Sequence, residues 1–392
     1  MKFVFYKLCC APLNILLKLL SFAVKKRRDL WLYSSWFGKG FSDNSKHLFK
    51  YVKENHPHIF SMWLCKDKEL FNRLKKEGVP CLYSNSFWGI VYQLRAGAIF
   101  YGHSVSSDFN APLIGANTLC VQLWHGIPIK KIGFDDEIYR KKRSFLFNAL
   151  SGFIYRRKDD LVIASSEYDK LIYSSAFKVP IVRIEITGAP RNDVLCSGGE
   201  GRKRQCIYLP TFRGAPYSEF KYFSACGFDF EKMDSRLDEA GVDLHVKLHP
   251  VQVLSEEDRV KILGCKRIKL VDRDDFDIHE ELDKYDVLIS DFSSIVLDYI
   301  LTDKPIIMAT FDYEEYLKSD RQLYFDYKET FSNRICSSWD EVVDKVCDVF
   351  NNSSKGGSWR GVKDKFHFHD NDGRSSERVF ELVLKTLAGF KQ

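Results

Sequence analysis

Five short segments hold the side chains that could do chemistry: Trp124-His125-Gly126-Ile127-Pro128, Gly188-Ala189-Pro190-Arg191-Asn192-Asp193, Leu209-Pro210-Thr211-Phe212-Arg213, Lys247-Leu248-His249-Pro250 and Ser290-Asp291-Phe292-Ser293-Ser294. Each places an imidazole, a guanidinium or a pair of hydroxyls just after a short apolar run. In α/β proteins ligands bind beyond the carboxyl ends of strands, so the five read together as the lining of a phosphate-binding cleft. His125 is the general-base candidate, because an imidazole titrating near neutrality can take a proton from an attacking hydroxyl. Gly126 beside it lets the backbone approach a ligand closely. His125 is expected to be the one histidine of the N-terminal half in a strand-end, glycine-flanked setting.

The other segments supply groups for an anion. Lys247 and His249 share a face by the period of two, and a lysine there is hard to bury unpaired, which favours a shared anionic ligand. The planar fork of Arg191 suits bidentate phosphate contact, while Asn192 and Asp193 suit a helix cap. Pro210 breaks a ladder and Thr211 offers a hydroxyl, with Arg213 beyond; an ordinary turn explains them equally well. Ser293 and Ser294 open a helix whose free N–H groups and dipole favour an anion, or one of them simply caps it. Asp298 lies four residues past Ser294 on the same helix face. Lys130 and Lys131 fit a phosphorylated acceptor or a solvated turn.

The elements that must position these residues alternate. Leu30–Ser34, Ile59–Cys65, Ala98–Tyr101, Leu119–Leu123, Leu161–Ser165 and Ile181–Ile186 read as strands, with helices at Ser45–Asn55, Glu69–Gly78 and Phe87–Arg95. After the polar stretch Ser197–Arg204, a linker, the alternation resumes with strands at Gln205–Leu209, Leu244–Leu248, Ile268–Leu270, Val287–Ser290 and Pro305–Met308. Helices fall at Phe228–Ala240, Glu256–Leu263 and Ser294–Thr302. Two Rossmann-like halves with parallel sheets follow, residues 29–196 and 203–392, which agrees with the two-domain expectation for 392 residues.

Residues 3–24 are mostly apolar but interrupted by Lys7, Pro12, Asn14 and Lys18, short of the roughly 18 uninterrupted residues of a spanning helix. With the basic run Lys25–Arg28 they predict a membrane-associating segment, residues 1–28, lying in the interface of an anionic membrane, with the bulk of the chain on the cytoplasmic side. The net charge is +6, with further basic clusters at Arg140–Arg143 and Arg156–Lys158. No groove-reading motif accompanies that charge, so nucleic acid is not the expected partner. Eleven irregularly spaced cysteines give neither a disulfide framework nor a metal pattern. Phe366-His367-Phe368-His369-Asp370 offers too few neighbouring ligands for a metal, and no metal or cofactor is called for.

The combination of Trp-His-Gly-x-Pro, Pro-Arg-Asn-Asp, Pro-Thr-Phe-Arg, Lys-Leu-His-Pro and Ser-Asp-Phe-Ser-Ser, with Asp372–Arg378 near the end, resembles the CDP-glycerol glycerophosphotransferase family of teichoic acid and capsule synthesis. That resemblance runs from about Leu30 to Val383. It implies a GT-B fold, two Rossmann-like domains facing across a cleft, and a peripheral enzyme on the cytoplasmic side of the cell membrane. It also implies CDP-glycerol as donor and a lipid-linked saccharide or poly(glycerol phosphate) as acceptor. Carried over by position, it implies that Trp124, Gly126, Ile127, Pro128, Arg191, Pro210, Thr211, Lys247, Leu248, Ser293, Ser294 and Asp298 contact the donor. His125 would be the base and His249 would serve the pyrophosphate. Ile127 stands where the family has threonine and Ala189 where it often has tyrosine, which leaves acceptor or donor identity open while the core chemistry persists; within the family, CDP-ribitol or another CDP-polyol is the alternative donor. A GT-B glycosyltransferase using a nucleotide sugar shares the same cleft.

Overall fold

Strand β1 (Arg27–Tyr33) buries its last four residues on both faces, as the central strand of a parallel sheet must. In the computed structural model it sits inside a seven-stranded parallel sheet ordered β3-β2-β1-β4-β5-β6-β7. The others are β2 (Phe60–Cys65), β3 (Cys81–Tyr83), β4 (Ala96–Tyr101), β5 (Leu119–Gln122), β6 (Leu161–Ala164) and β7 (Ile184–Ile186). A second sheet has the order β12-β10-β8-β13-β14. Its strands are β8 (Gln205–Leu209), β10 (Asp243–Val246), β12 (Ile268–Leu270), β13 (Val287–Ser290) and β14 (Ile306–Met308); β9 (Glu219–Phe220) and β11 (Val253–Leu254) form a separate pair. The structure describes residues 11–137, 159–196, 203–213, 217–249, 251–271, 277–319, 322–351, 359–367 and 372–389. The basic clusters at 140–143 and 156–158, most of the linker and part of the His367–His369 piece lie outside these.

Each sheet reverses its winding once, between β1 and β4 in the first and between β8 and β13 in the second. Such switch points open a crevice at the carboxyl edge of the sheet. The loops after β8 and β13 are the Pro210-Thr211 and Asp291–Ser294 segments, so two of the five motifs flank the second switch point. In the first sheet the loop after β5, Trp124-His125, lies one strand from the switch point and the loop after β4 lies on it.

The chain divides into two units, residues 1–125, 133–193 and 367–392 in one, 126–132 and 194–366 in the other. This differs from the division at 196/203 in two places. Residues 367–392 return to the first unit, where the helix Ser375–Gly389 buries Val379, Phe380, Val383 and Leu387 in the core with Trp31, Phe49, Trp63 and Phe100. Its start is tied down by Asp193, whose carboxylate accepts the N–H groups of Ser375 and Ser376, both at 2.8 Å. Asp193 is thus a helix cap, though for a helix some 180 residues away in sequence. Conversely Ile127 and Ile129 are buried, and the 129–131 backbone pairs with 322–324 of the second unit. Phe380 stacks on His56 at 3.6 Å and meets Trp31 at 5.5 Å. Phe380→Ala should therefore cost about 3–5 kcal/mol, read by urea unfolding, as for other buried aromatic truncations.

Other boundaries shift less. β3 was not expected, being three residues long; Ile181–Arg183 is a 3₁₀ turn before β7; β10 ends at Val246, leaving Lys247 to His249 beyond the ladder. The helix expected at Ser294–Thr302 is Ile295–Tyr299 followed by a 3₁₀ turn.

At the N-terminus a helix spans Ala11–Ala23, and no helix among the described residues is long and apolar enough to cross a membrane. Lys18 does not reach out to headgroups: it is 4% exposed and donates to the carbonyl of Ile114 at 2.8 Å. Lys26 likewise donates to the carbonyls of Ser21 and Leu94, and Arg27 and Arg28 already belong to β1. Leu13, Leu16 and Leu19 stay more than half exposed.

Candidate active site

In the first unit the site is built around the loop after β5. Trp124 takes a left-handed backbone (φ 53°) and Gly126 follows at φ 135°. The Nδ1 of His125 lies 2.9 Å from the carbonyl of Gly102. A carbonyl can only accept, so Nδ1 carries the proton and Nε2 keeps its lone pair. Nε2 has no hydrogen-bond partner among the described residues and is not sealed from solvent. The ring is half-buried between Trp124 at 4.0 Å, His103 at 4.5 Å and Trp36 at 6.5 Å. Burial pushes its pKa down to about 4, helped by the neighbouring His103 and Arg191 and opposed by Asp43. The result is an imidazole held neutral with its basic nitrogen outward, as a general base requires.

Arg191 reaches this loop from the one after β7, but not as a free fork. Its guanidinium is 3% exposed, donates to Asp43 at 2.6 Å and to the carbonyl of His125 at 2.8 Å. Those bonds make it an anchor of the His125 loop, in place of the open bidentate face expected from sequence. Asn44 completes the clamp: its amide donates to the carbonyls of Leu123 and Trp124, both at 3.1 Å, and its carbonyl accepts the Arg191 N–H. Trp36 (φ 46°), Phe37 (φ 61°) and Asp43 (φ 67°) join Trp124 in the left-handed region, four non-glycine residues around one site. Backbone of that kind costs about 1–3 kcal/mol per residue and persists where the surroundings fix it, commonly at functional sites.

Sequence reasoning missed Asp43, Asn44 and His103. The first two carried a signal, adjacent Asx residues just after a Gly-Lys-Gly turn. His103 carried a better one: it stands two residues past β4, directly after Gly102, so His125 is not the only strand-end, glycine-flanked histidine of this half.

The second unit holds the remaining candidates. His249 is half-buried, and its Nδ1 accepts the Val251 N–H at 3.3 Å, which leaves Nε2 as the protonated, donating nitrogen. Burial, then the charge of Lys130, lowers its pKa. Lys247 and Leu248 are half-buried on the approach to it; Pro250 lies outside the described residues. Ser293 and Ser294 precede the helix at Ile295, and neither hydroxyl has a partner among the described residues, so the capping alternative does not use them. The Thr211 hydroxyl is buried with no partner among the described residues, at an expected binding residue, beside the buried Pro210.

Asp291 ties the two switch-point loops together. Fully buried, it accepts the Thr211 N–H at 2.8 Å and an Arg213 N–H at 2.6 Å. Arg213 also grips Asp312 through Nε at 2.7 Å, so it is a strut of the second unit. Asp298 is 1% exposed with its carboxylate 3.5 Å from His279, inside the protein rather than on an open helix face. Ile127 and Pro128 are buried as well and serve to seat the loop. A pocket of about 860 Å³ is lined among others by Lys130, Arg213, Gln252, Asp312, Tyr316 and Phe212, whose ring lies 5.7 Å from that of His249.

Residues 16–385 match the model of the CDP-glycerol:poly(glycerophosphate) glycerophosphotransferase family. The chain is similar to the teichoic acid glycerol-phosphate transferase of Staphylococcus aureus strain NCTC 8325, 26% identical over 384 residues, 91% of this chain and 93% of that one. It is also similar to the teichoic acid poly(glycerol phosphate) polymerase of Bacillus subtilis strain 168, 23% identical over 395 residues, where it spans 49% of the longer relative. Its fold matches the wall teichoic acid polymerase TagF with a TM-score of 0.77 over 98% of both chains at 20% identity. With its α/β sheets of GT-B type and its motifs matched almost end to end, the chain belongs to the CDP-glycerol:poly(glycerophosphate) glycerophosphotransferase family and is an enzyme of glycerol phosphate transfer.

Proposed function

We propose that this chain transfers glycerol phosphate from CDP-glycerol to a hydroxyl of a lipid-linked acceptor at an anionic membrane surface. The acceptor oxygen attacks the β-phosphorus, the bond to the bridging oxygen breaks, and that oxygen leaves with its electron pair as part of CMP. The hydroxyl proton passes to Nε2 of His125. What carries this reading is His125 itself, a neutral imidazole whose tautomer is set by the Gly102 carbonyl so that its lone pair faces outward. His249 supplies an N–H and Lys247 a charge for the phosphoryl oxygens, and the Ser293 and Ser294 hydroxyls are open donors. Such transfer rests on positioning and charge stabilisation.

Removing one donor of this kind costs about 10²–10³ in kcat. His249→Ala should show that loss when CMP release is followed at saturating CDP-glycerol, with the unfolding midpoint unchanged. A wild-type kcat would remove His249 from the mechanism.

The membrane part of the reading is supported by the exposed leucines of Ala11–Ala23 and by Phe87 and Trp88, 71% and 60% exposed on the helix Phe87–Arg95 of the same unit. Apolar and tryptophan side chains of this kind enter the bilayer edge. Co-sedimentation with vesicles containing phosphatidylglycerol tests it. Leu16→Glu together with Trp88→Ala should release the chain into the supernatant, and unchanged pelleting would overturn it.

A further inference from the structure

His103 is an imidazole of the first unit's site that the transfer as described does not use. It follows β4 as Trp124-His125 follows β5, and the two strands are paired in register, Tyr101 with Gln122. Gln122 joins the two loops, donating to the His103 carbonyl at 2.8 Å and accepting the Trp124 N–H at 3.3 Å. Asp108, fully buried, accepts the N–H groups of Gly102, His103 and Phe37 at 2.9–3.1 Å. Phe37 packs on the His103 ring at 4.4 Å. The ring is thereby fixed face to face with His125, centroids 4.5 Å apart and planes within 19°.

The nitrogens of His103 are unequal. Among the described residues Nδ1 is buried with no partner, whereas Nε2 has no partner and is open to solvent. A sealed N–H without an acceptor is rarer in folded proteins than an unmet lone pair, so the neutral ring carries its proton on Nε2. Two parallel imidazoles thus stand side by side, one offering a lone pair and the other an N–H. Packing alone would be met as well by phenylalanine, which has no sealed nitrogen to bury.

Resting on the glycerol phosphate transfer proposed above, we infer that His103 is a substrate-contacting residue that donates Nε2–H to the oxygen next to the attacking hydroxyl, and so selects acceptors ending in a vicinal diol. A glycerol phosphate terminus presents that pair on adjacent carbons. The attacking oxygen gives its proton to His125 while the neighbouring oxygen accepts from His103.

The test compares two lipid-linked acceptors, one ending in glycerol phosphate and one in which the second hydroxyl is replaced by hydrogen. CMP release gives kcat/KM for each. Wild type should prefer the diol at least ~10-fold, the size of one directed hydrogen bond to substrate. His103→Phe, which keeps the stacked ring, should use both acceptors equally and retain its KM for CDP-glycerol. His103→Gln, which restores an N–H, should recover part of the preference. A His103→Phe enzyme that still prefers the diol overturns the inference, as does one that loses both acceptors equally with a raised KM for CDP-glycerol. Wild-type chain that releases no CMP with either acceptor overturns the function beneath it, and is recognised by failing before any variant is compared.

Discussion

His125→Ala should lose about 10²–10⁴ of its transfer rate while still binding CDP-glycerol, the range expected when a positioned general base is removed. The Gly102 carbonyl holds the Nδ1 proton at 2.9 Å, so the basic nitrogen is the outward one. His125→Asn keeps a donor for that carbonyl but no basic nitrogen, and should be as inactive as alanine. The pH profile adds a second readout. A group titrating near 4, with its neutral form active, leaves kcat/KM insensitive to this residue from neutrality down to about pH 5 and then falling as Nε2 takes a proton. Its surroundings set that limb: burial and the neighbouring His103 and Arg191 push it acidward, Asp43 pulls it back. An acid limb centred near 6.5, the usual histidine value, would mean that the ring is solvated in the working enzyme.

Breaking the Arg191–Asp43 pair should have the largest effect on stability. Both side chains are below a tenth exposed, and Arg191 also holds the His125 carbonyl. Removing one partner of a buried pair strands the other charge, at a cost of about 3–5 kcal/mol. Arg191→Met should therefore unfold roughly 6–20 °C earlier, using the scaling for domains of this size. Asp43→Ala should do the same, and the double variant should be less destabilised than the sum because neither charge remains unmatched. Differential scanning calorimetry on the four proteins completes the cycle. Additive losses would show that the two side chains act independently, contrary to the 2.6 Å contact. Transfer should fall in the single variants even well below their melting points, since the loop that aims His125 loses its anchor.

Much of the frame was legible because parallel strands buried on both faces read as short unbroken apolar runs. Val287–Ser290 and Gln205–Leu209 were placed to the residue, and the loops after them fell at a switch point that only the strand order could reveal. What stayed hidden was the address of each contact. The pattern of Ser375–Gly389 shows an amphipathic helix but not which core it fills, and it fills the first. Arg191 looks like an open phosphate fork until Asp43, 148 residues earlier, is seen to occupy it. Lys18 looks like a headgroup ligand until its ammonium is found on the Ile114 carbonyl. His103 is hidden for a different reason: its strand end reads clearly, but Ser104-Val105 follows it where Gly126-Ile127-Pro128 follows His125.

The most direct test of the account is incubation of the purified chain with CDP-glycerol radiolabelled in the glycerol and a short lipid-linked saccharide acceptor, following CMP release and label in the lipid fraction beside a His125→Ala control. Equimolar CMP and lipid-bound label are expected, both falling at least ~100-fold in the control, with product length separating a single addition from polymerisation. CMP released without label in the lipid, or label transfer from CDP-ribitol but not from CDP-glycerol, would contradict it.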